Sequence, residues 1–411
     1  MKKIVYVSAV AAGLLSAIPA FAKPVQVKPI VEARLRYEDD KQEGIKDTAN
    51  AVTMRVRAGA QAKTGHFLLL AEGEGTLGLA NGYNDGLNGK NNFPIVADPQ
   101  NIELNRLLIQ YSGLPKTVVT VGRQRIALDD QRFVGNAGWR QNEQTFDAAR
   151  IEWTGIKDVK ADITYANAVR TIWGVNGFGF RQPAIDGNNV FANLSYKNKV
   201  WGLTGFAYLV DQDEAAVQNF RESSQTYGVR GTAAIPLNPV AKLNLAASYA
   251  NQRDYHRNPN NYTANYYAGE AALDAKGFRL TSGFEVLGAD NGAAFTSFQT
   301  PLASLHKFNG FADKFLTTPP NGLRDYYLGA SYSFPHVTAL SGLNLATSWH
   351  SFSSDRLGQK YGTEWDMVGG FKLNKQLNLI GKYASYNSQG GGNFAGDADT
   401  KKLWVELDYT F

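Results

Sequence analysis

Long stretches of this chain alternate apolar and polar residues one by one. Val31, Ala33, Leu35 and Tyr37 alternate with Glu32, Arg34, Arg36 and Glu38; Val52, Met54, Val56 and Ala58 alternate with Thr53, Arg55, Arg57 and Gly59. Successive strand side chains point to opposite faces, so each stretch predicts a strand with one apolar face and one polar face. Segments of about ten residues of this kind recur to the end of the chain, where Leu403, Val405, Leu407, Tyr409 and Phe411 share one face. Alternation alone does not tell a soluble sandwich from a membrane barrel, because both have one apolar face per strand.

The connections separate the two. Short links at 63–65, 113–116, 155–158, 198–199, 274–276 and 374–376 alternate with long ones rich in Gly, Asn, Asp and Pro at 77–102, 126–145, 171–189, 211–223, 251–263, 288–323 and 387–399. Short and long in turn place all long loops at one end of the strands. That is the layout of an outer-membrane barrel with short periplasmic turns and long extracellular loops. The segments number about eighteen, an even count within the range of bacterial barrels. The predicted fold is all-β: a single transmembrane antiparallel β-barrel in the bacterial cell outer membrane. No sustained helical period appears, so no structural helix is expected in it.

Three further features agree. Lys2 and Lys3 precede the apolar run 4–15 and then Ala20-Phe21-Ala22, which reads as a signal peptide over 1–22 followed by a barrel over 23–411. The apolar run is too short to span as a helix. Aromatic residues make up 12% of the chain, and Tyr37, Tyr111, Trp153, Tyr165, Tyr196, Trp201, Tyr249, Tyr332, Trp349, Trp365, Tyr383 and Tyr409 fall at or near strand ends, where membrane–water girdles place such rings. The terminal strand ending on Phe411 resembles the signal that outer-membrane proteins present to the barrel-assembly machinery. Expected partners are therefore that machinery, outer-membrane lipid and lipopolysaccharide.

Composition removes several classes. The absence of Cys excludes disulfide frameworks and thiolate metal sites, and the five His are scattered without metal-binding spacing, so no metal or cofactor is expected. Loss of Lys2 and Lys3 lowers the formal charge from +5 to +3, with no basic tail for nucleic acid. The run 73–78 matches G-x-G-x-x-G, but loop rather than helix follows it, so it reads as a strand running into a loop. Ser348 and His350 share a strand face and are the only pair open to nucleophilic chemistry. With no third member apparent they read as lumen lining, and no enzymatic activity is expected.

Inward charge carries more. By strand parity Arg34, Arg36, Arg55, Arg57, Arg106, Arg150, Arg170 and Arg230 face the lumen, with Glu32, Glu38, Glu72, Glu74, Glu152, Asp162, Glu270 and Glu285 as possible partners. Bracing pairs across strands account for part of this set. The remainder predicts an electropositive constriction for an anionic solute. The densest polar stretch, 122–153, adds Arg123, Gln124, Arg125, Arg132, Arg140 and Gln141. Arg123 and Arg125 share parity with Val119 and Val121. A bulge near Gly122 that turns both Arg to the lumen is expected, because an unpaired Arg on the lipid side costs roughly 2–4 kcal/mol at the midplane. The loop after them is expected to fold inward and narrow the pore.

Gly122-Arg123-Gln124, the run 130–135 (DQRFVG), the run 139–144 (WRQNEQ) and Thr145-Phe146-Asp147, with the early RLRYE strand at 34–38, resemble the signature of the alginate-export family of outer-membrane barrels. The resemblance is close over 31–153 and diffuse beyond. It implies an eighteen-stranded barrel, an electropositive pore and passage of a negatively charged uronate polysaccharide. The function expected is passive diffusion of anionic saccharides or other small anions past Arg34, Arg36, Arg55, Arg57, Arg106, Arg123, Gln124, Arg125, Arg132, Arg140, Gln141 and Arg150. The alternatives are a general porin of low selectivity, or a non-conducting adhesin or structural barrel.

Overall fold

The computed structural model describes residues 24–411 except 81, 336, 338, 339, 392, 393 and 395. The expected signal peptide at 1–22 lies outside the described residues. The strands are β1 (Gln26–Gln42), β2 (Ala49–Thr64), β3 (Phe67–Gly78), β4 (Asn101–Leu114), β5 (Thr117–Gln124), β6 (Thr145–Trp153), β7 (Val159–Arg170), β8 (Ala184–Lys197) and β9 (Trp201–Val210). They continue with β10 (Ser224–Asn238), β11 (Ala241–Asp254), β12 (Thr263–Ala275), β13 (Phe278–Leu287), β14 (Leu323–Ser333), β15 (Ser341–Ser353), β16 (Lys360–Lys372), β17 (Leu377–Ser388) and β18 (Thr400–Thr410). The only helical elements among the described residues are two three-residue 3-10 turns, Gln218–Phe220 and Leu305–Lys307.

Each strand pairs with its sequence neighbours, and β1 pairs with β18 from Glu32↔Thr410 to Gln42↔Thr400, closing an 18-stranded antiparallel sheet. Closure removes both edges, which matters where no water is present to satisfy a free N–H or C=O. The Phe411 N–H donates to the Val31 carbonyl at 3.0 Å and its ring is exposed, so the seam is bonded to its last residue. Several strands are longer than the ~9–11 residues that cross a bilayer; β1 has 17 and β2 has 16, so their ends extend beyond the hydrocarbon.

The apolar face is the outer one. Leu69, Leu107, Ile109, Val121, Ile151, Ile163, Leu203, Leu280, Leu328 and Val405 are all exposed, as are Tyr165, Trp201, Tyr249 and Trp365 among the girdle residues. The long connections share one end of the barrel. Two links on that side, 43–48 and 354–359, are brief and carry no Gly/Asn run, so composition does not reveal them. Residues 73–78, the G-x-G-x-x-G match, form the end of β3.

Three loops turn into the barrel: 79–100, whose buried Asp98 pairs with Arg36 at 3.3 Å, and two that bring in aromatic rings. Phe133, from the loop 125–144, packs against Phe206, Tyr208, Tyr266 and Phe298 at ring separations of 5.1–6.0 Å. Phe315, from the loop 288–322, packs against Phe352, Tyr361, Tyr386 and Phe394. The apolar residues buried inside the upper barrel therefore form a core between loops and wall, separate from the lipid face. Gly310 sits where a Cβ would lie 2.5 Å from the Glu364 carboxylate, with φ at +83°, so both space and backbone conformation require glycine there.

Candidate solute path: the arginine rows and the inward loops

Register explains how the arginine rows are built. Arg34 stands opposite Asp408, Arg36 opposite Glu406, Arg57 between Glu32 and Glu74, and Arg106 opposite Glu72. These are inward cross-strand neighbours, and opposite charges there attract. Arg34 bonds Asp408 at 2.8 Å, Arg106 bonds Glu72 at 2.6 and 2.8 Å, Arg150 lies on Asp162, and Arg57 bonds Glu74. Every arginine in the expected site has a carboxylate within ion-pair distance. Bracing thus extends to all of them. Arg55 is the weakest case: its register partner is Arg34, Glu32 is 3.7 Å away, and its Nε and Nη1 are buried without hydrogen-bond partners among the described residues.

Arg123 is a correction. The β4–β5 and β5–β6 registers run unbroken through Gly122, pairing Arg123 with Leu107 and Asp147, and Val121 with Ile109 and Ala149. Leu107, Ile109 and Val121 are exposed on the outer wall, so Arg123 shares the outward face and no bulge turns it inward. The cost expected of a lone arginine is avoided by pairing: Nε and Nη2 donate to Asp147 at 2.7 and 3.0 Å, and Arg170, expected in the lumen by parity but turned to this outer face by a bulge in β7 between Ala166 and Ala168, reaches the same carboxylate at 3.1 Å. Arg125, beyond the end of β5, faces the lumen and bonds Glu143 at 2.6 Å. Gln124 is buried and braces the wall, donating to the Gly122 and Ala148 carbonyls.

The other members of the set seat the inward loop. Arg34 donates to the Gly138 and Trp139 carbonyls, and Arg36 donates to the Trp139 carbonyl with its guanidinium 4.1 Å from the Trp139 ring centre. Glu143 gathers Arg57, Arg125, Asn105 and Asn136. Gln141 is fully buried, its side chain donating to Thr53 Oγ1 at 2.9 Å and its main chain to Asp98 at 2.8 Å. Arg132 crosses to β13, bonding Glu285 at 2.6 and 3.2 Å, Thr300 at 2.9 Å and Asn309 at 3.1 Å. Arg140 ties this loop to the loop 288–322 through Asp313 at 2.9 Å. The polar density of 122–153 is therefore mostly a socket and its plug.

At the centre, Trp139 stacks on His306 at 4.2 Å, with the Lys382 ammonium 3.6 Å from the indole centre. His306 Nδ1 bonds Asp313 at 2.9 Å and Nε2 lies 3.2 Å from Lys382 Nζ, which fits a neutral ring donating to the carboxylate and accepting from the ammonium. Burial pushes His306 down to about 3 against the pull of Asp313. Burial also acts to raise Asp313, but His306 and Arg140 outweigh it and hold that carboxyl below the usual range. Sequence reading did not find Glu143 as a hub, nor Asp313, Asn309 and His306. The last three are more than 150 positions from their partners Arg132, Arg140 and Trp139, and no local pattern marks such a separation.

Open space also lies on the other side. A cavity of about 520 Å³ separates the edge of the loop 288–322 at Lys307, Phe308 and Asn309 from the wall at Arg230, Glu270 and Tyr327.

A closed barrel with an apolar outer band, long loops at one end, inward-folded loops and a charged interior is an outer-membrane barrel of the channel class. The family model described as alginate export matches residues 32–253, and the chain belongs to that family. Among solved structures it is similar to OccAB4 of Acinetobacter baumannii (12% identity, TM-score 0.72, covering 96% of this chain and 100% of that one). It is likewise similar to OccAB3 of the same organism (13%, 0.71, 94% and 99%) and OpdL of Pseudomonas aeruginosa (16%, 0.68, 94% and 99%). At such identities the likeness is one of fold. No curated protein matches the sequence.

Proposed function

We propose that the protein is a passive channel for carboxylate-bearing saccharides or other small organic anions. The observation that carries this reading is a set of lumen-facing guanidiniums that are paired but still reachable by solvent. Side-chain exposure is 13% for Arg34, 15% for Arg106 and Arg150, and 26% for Arg125. A guanidinium already holding a carboxylate can exchange one fork for another, so a solute carboxylate binds weakly and leaves readily, as conduction requires. A general porin of low selectivity is the second reading, favoured by the pairing of every arginine, which reduces the net field.

Planar-bilayer recording tests the first reading. Replacing Arg125 and Arg150 with Ala is expected to lower anion-over-cation permeability roughly twofold to fivefold, the equivalent of the ~0.5–1 kcal/mol of solvent-accessible charge pairs. Block by oligouronate but not by neutral dextran of equal size supports the anionic reading. Equal block by both supports the general porin, and no conductance at all removes both.

A further inference from the structure

The arginine rows are dense, yet the loop 125–144 covers much of them. Side-chain exposure is 0% for Arg36 and 4% for Arg55 and Arg57, and Thr53, Glu74 and Thr76 beside them are buried as well. Thr76 Oγ1 donates to Asn142 of the loop at 2.7 Å, so plug and wall are in direct contact. The guanidiniums of Arg36, Arg55 and Arg57 are therefore buried under the plug, out of reach of a solute.

The opposite wall differs. Ala246, Ala268 and Gly329 line it, and these small side chains leave the cavity of about 520 Å³ between wall and loop, within the usual size of a small-ligand pocket. Its polar groups are accessible: Arg230 is 22% exposed and Glu270 38%. Five carboxylates, Asp130, Glu270, Glu285, Asp325 and Asp366, line it as well, and four of them are held within the protein: Glu285 by Arg132, Asp325 by His350, Asp130 by Arg230 and Glu270 by Tyr327. Arg230 Nη1 lies 2.9 Å from Asp130 Oδ2, and Lys307 Nζ donates to the Asp130 carbonyl at 2.8 Å, so two cations converge beside one loop residue. On the wall, Tyr327 donates to Glu270 at 2.8 Å; Ser348 lies on a neighbouring strand with its Oγ 3.3 Å from His350 Nε2, and Asp325, the third member that the sequence did not show, is 3.0 Å from His350 Nδ1. Cations suit a carboxylate, while a carboxylate–phenol pair and a hydroxyl suit sugar hydroxyls.

We propose that solute crosses the loop layer along the β10–β15 wall, through this cavity, and not past Arg36, Arg55 and Arg57, which lie beneath the plug, the partly exposed Arg34 and Arg106 lying outside that layer. Arg230 and Lys307 take the carboxylate of a uronate unit, and Glu270, Tyr327 and Ser348 take its hydroxyls. The proposal rests on the channel reading above and adds the route and the recognising residues.

The chain contains no Cys, so single-cysteine variants report cleanly. Ala246→Cys faces the cavity and Thr76→Cys lies under the plug; each is refolded, checked for heat-modifiable gel mobility, and recorded in planar bilayers during addition of a charged methanethiosulfonate reagent. Modification is expected to reduce the conductance of the Ala246→Cys channel by roughly half or more and to leave Thr76→Cys unchanged. Block of Thr76→Cys, or no effect on Ala246→Cys in a channel that conducts, overturns the route. Absence of conductance in the unsubstituted protein sinks the channel reading itself, so the two failures are distinct. For recognition, Arg230→Ala is expected to raise the concentration of oligouronate giving half block roughly tenfold, the loss of one charge-assisted contact. An unchanged blocking concentration removes Arg230 from the site.

Discussion

Arg132→Ala tests whether the loop 125–144 is held by its buried ion pair. The side chain makes two bonds to Glu285, one to Thr300 and one to Asn309, and it is almost fully buried. Removing one partner of a buried pair costs about 3–5 kcal/mol, largely because the remaining charge stays buried without its counterion. Here Tyr266 and Asn309 still donate to Glu285 at 2.7 and 2.6 Å, which places the effect at the lower end, about 3 kcal/mol. At 1.4 kcal/mol per factor of ten, the undocked population of the loop rises roughly a hundredfold. Amide exchange of residues 126–144 in proteoliposomes reads that population directly, and single-channel noise should rise with it. Pairing Arg132→Met with Glu285→Gln removes both charges and is expected to recover at least half of the lost protection, because no uncompensated charge is left. Loop exchange that stays within about threefold of the parent in Arg132→Ala would refute the anchor and the socket-and-plug account with it.

Two other outcomes follow from the same geometry. On the outer wall, Asp147→Ala strands both Arg123 and Arg170, whereas Arg123→Ala leaves Asp147 its second partner; denaturant unfolding from liposomes should show a larger loss for Asp147→Ala, by about 1–3 kcal/mol, and equal losses would place Arg123 elsewhere. Because the docked loop holds His306 at about 3 rather than near its ordinary ~6.5, the undocked loop binds the extra proton between those values. Docking is therefore at full strength above about pH 6.5 and weakens as pH falls toward 3, by up to about 1.4 kcal/mol per unit, with Asp313, Arg140 and Lys382 as the charges facing the ring. Loop exchange that is the same at pH 7 and pH 4.5, or a pH response that persists in His306→Phe, would contradict this.

The strand count, the single closed sheet, the sorting of long loops to one end and the outward band were legible in the sequence, because alternation with period two and loop length are local properties. Arg34, Arg36, Arg57, Arg106 and Arg150 were placed on the inner face by parity alone, and their cross-strand partners follow once neighbouring strands are aligned. The two brief links at 43–48 and 354–359 were not legible, since nothing in their composition sets them apart. Arg123 was misplaced for a physical reason. The cost of an arginine toward lipid argued for a bulge, but Asp147 on the adjacent strand neutralises it, and the register continues unbroken.

What only the tertiary structure decided is which charges stay accessible in the lumen and which hold the molecule together. Arg132 and Glu285, or Arg140 and Asp313, are far apart in the chain and meet only because the loop 125–144 folds into the barrel, onto β13 in the first case and onto the loop 288–322 in the second. That folding buries Arg36, Arg55 and Arg57 beneath the plug and leaves Arg230 and Glu270 accessible on the opposite wall. Strand parity, where no bulge interrupts it, fixes the face a side chain takes, but the packing of loops distant in the chain decides whether that face is still open.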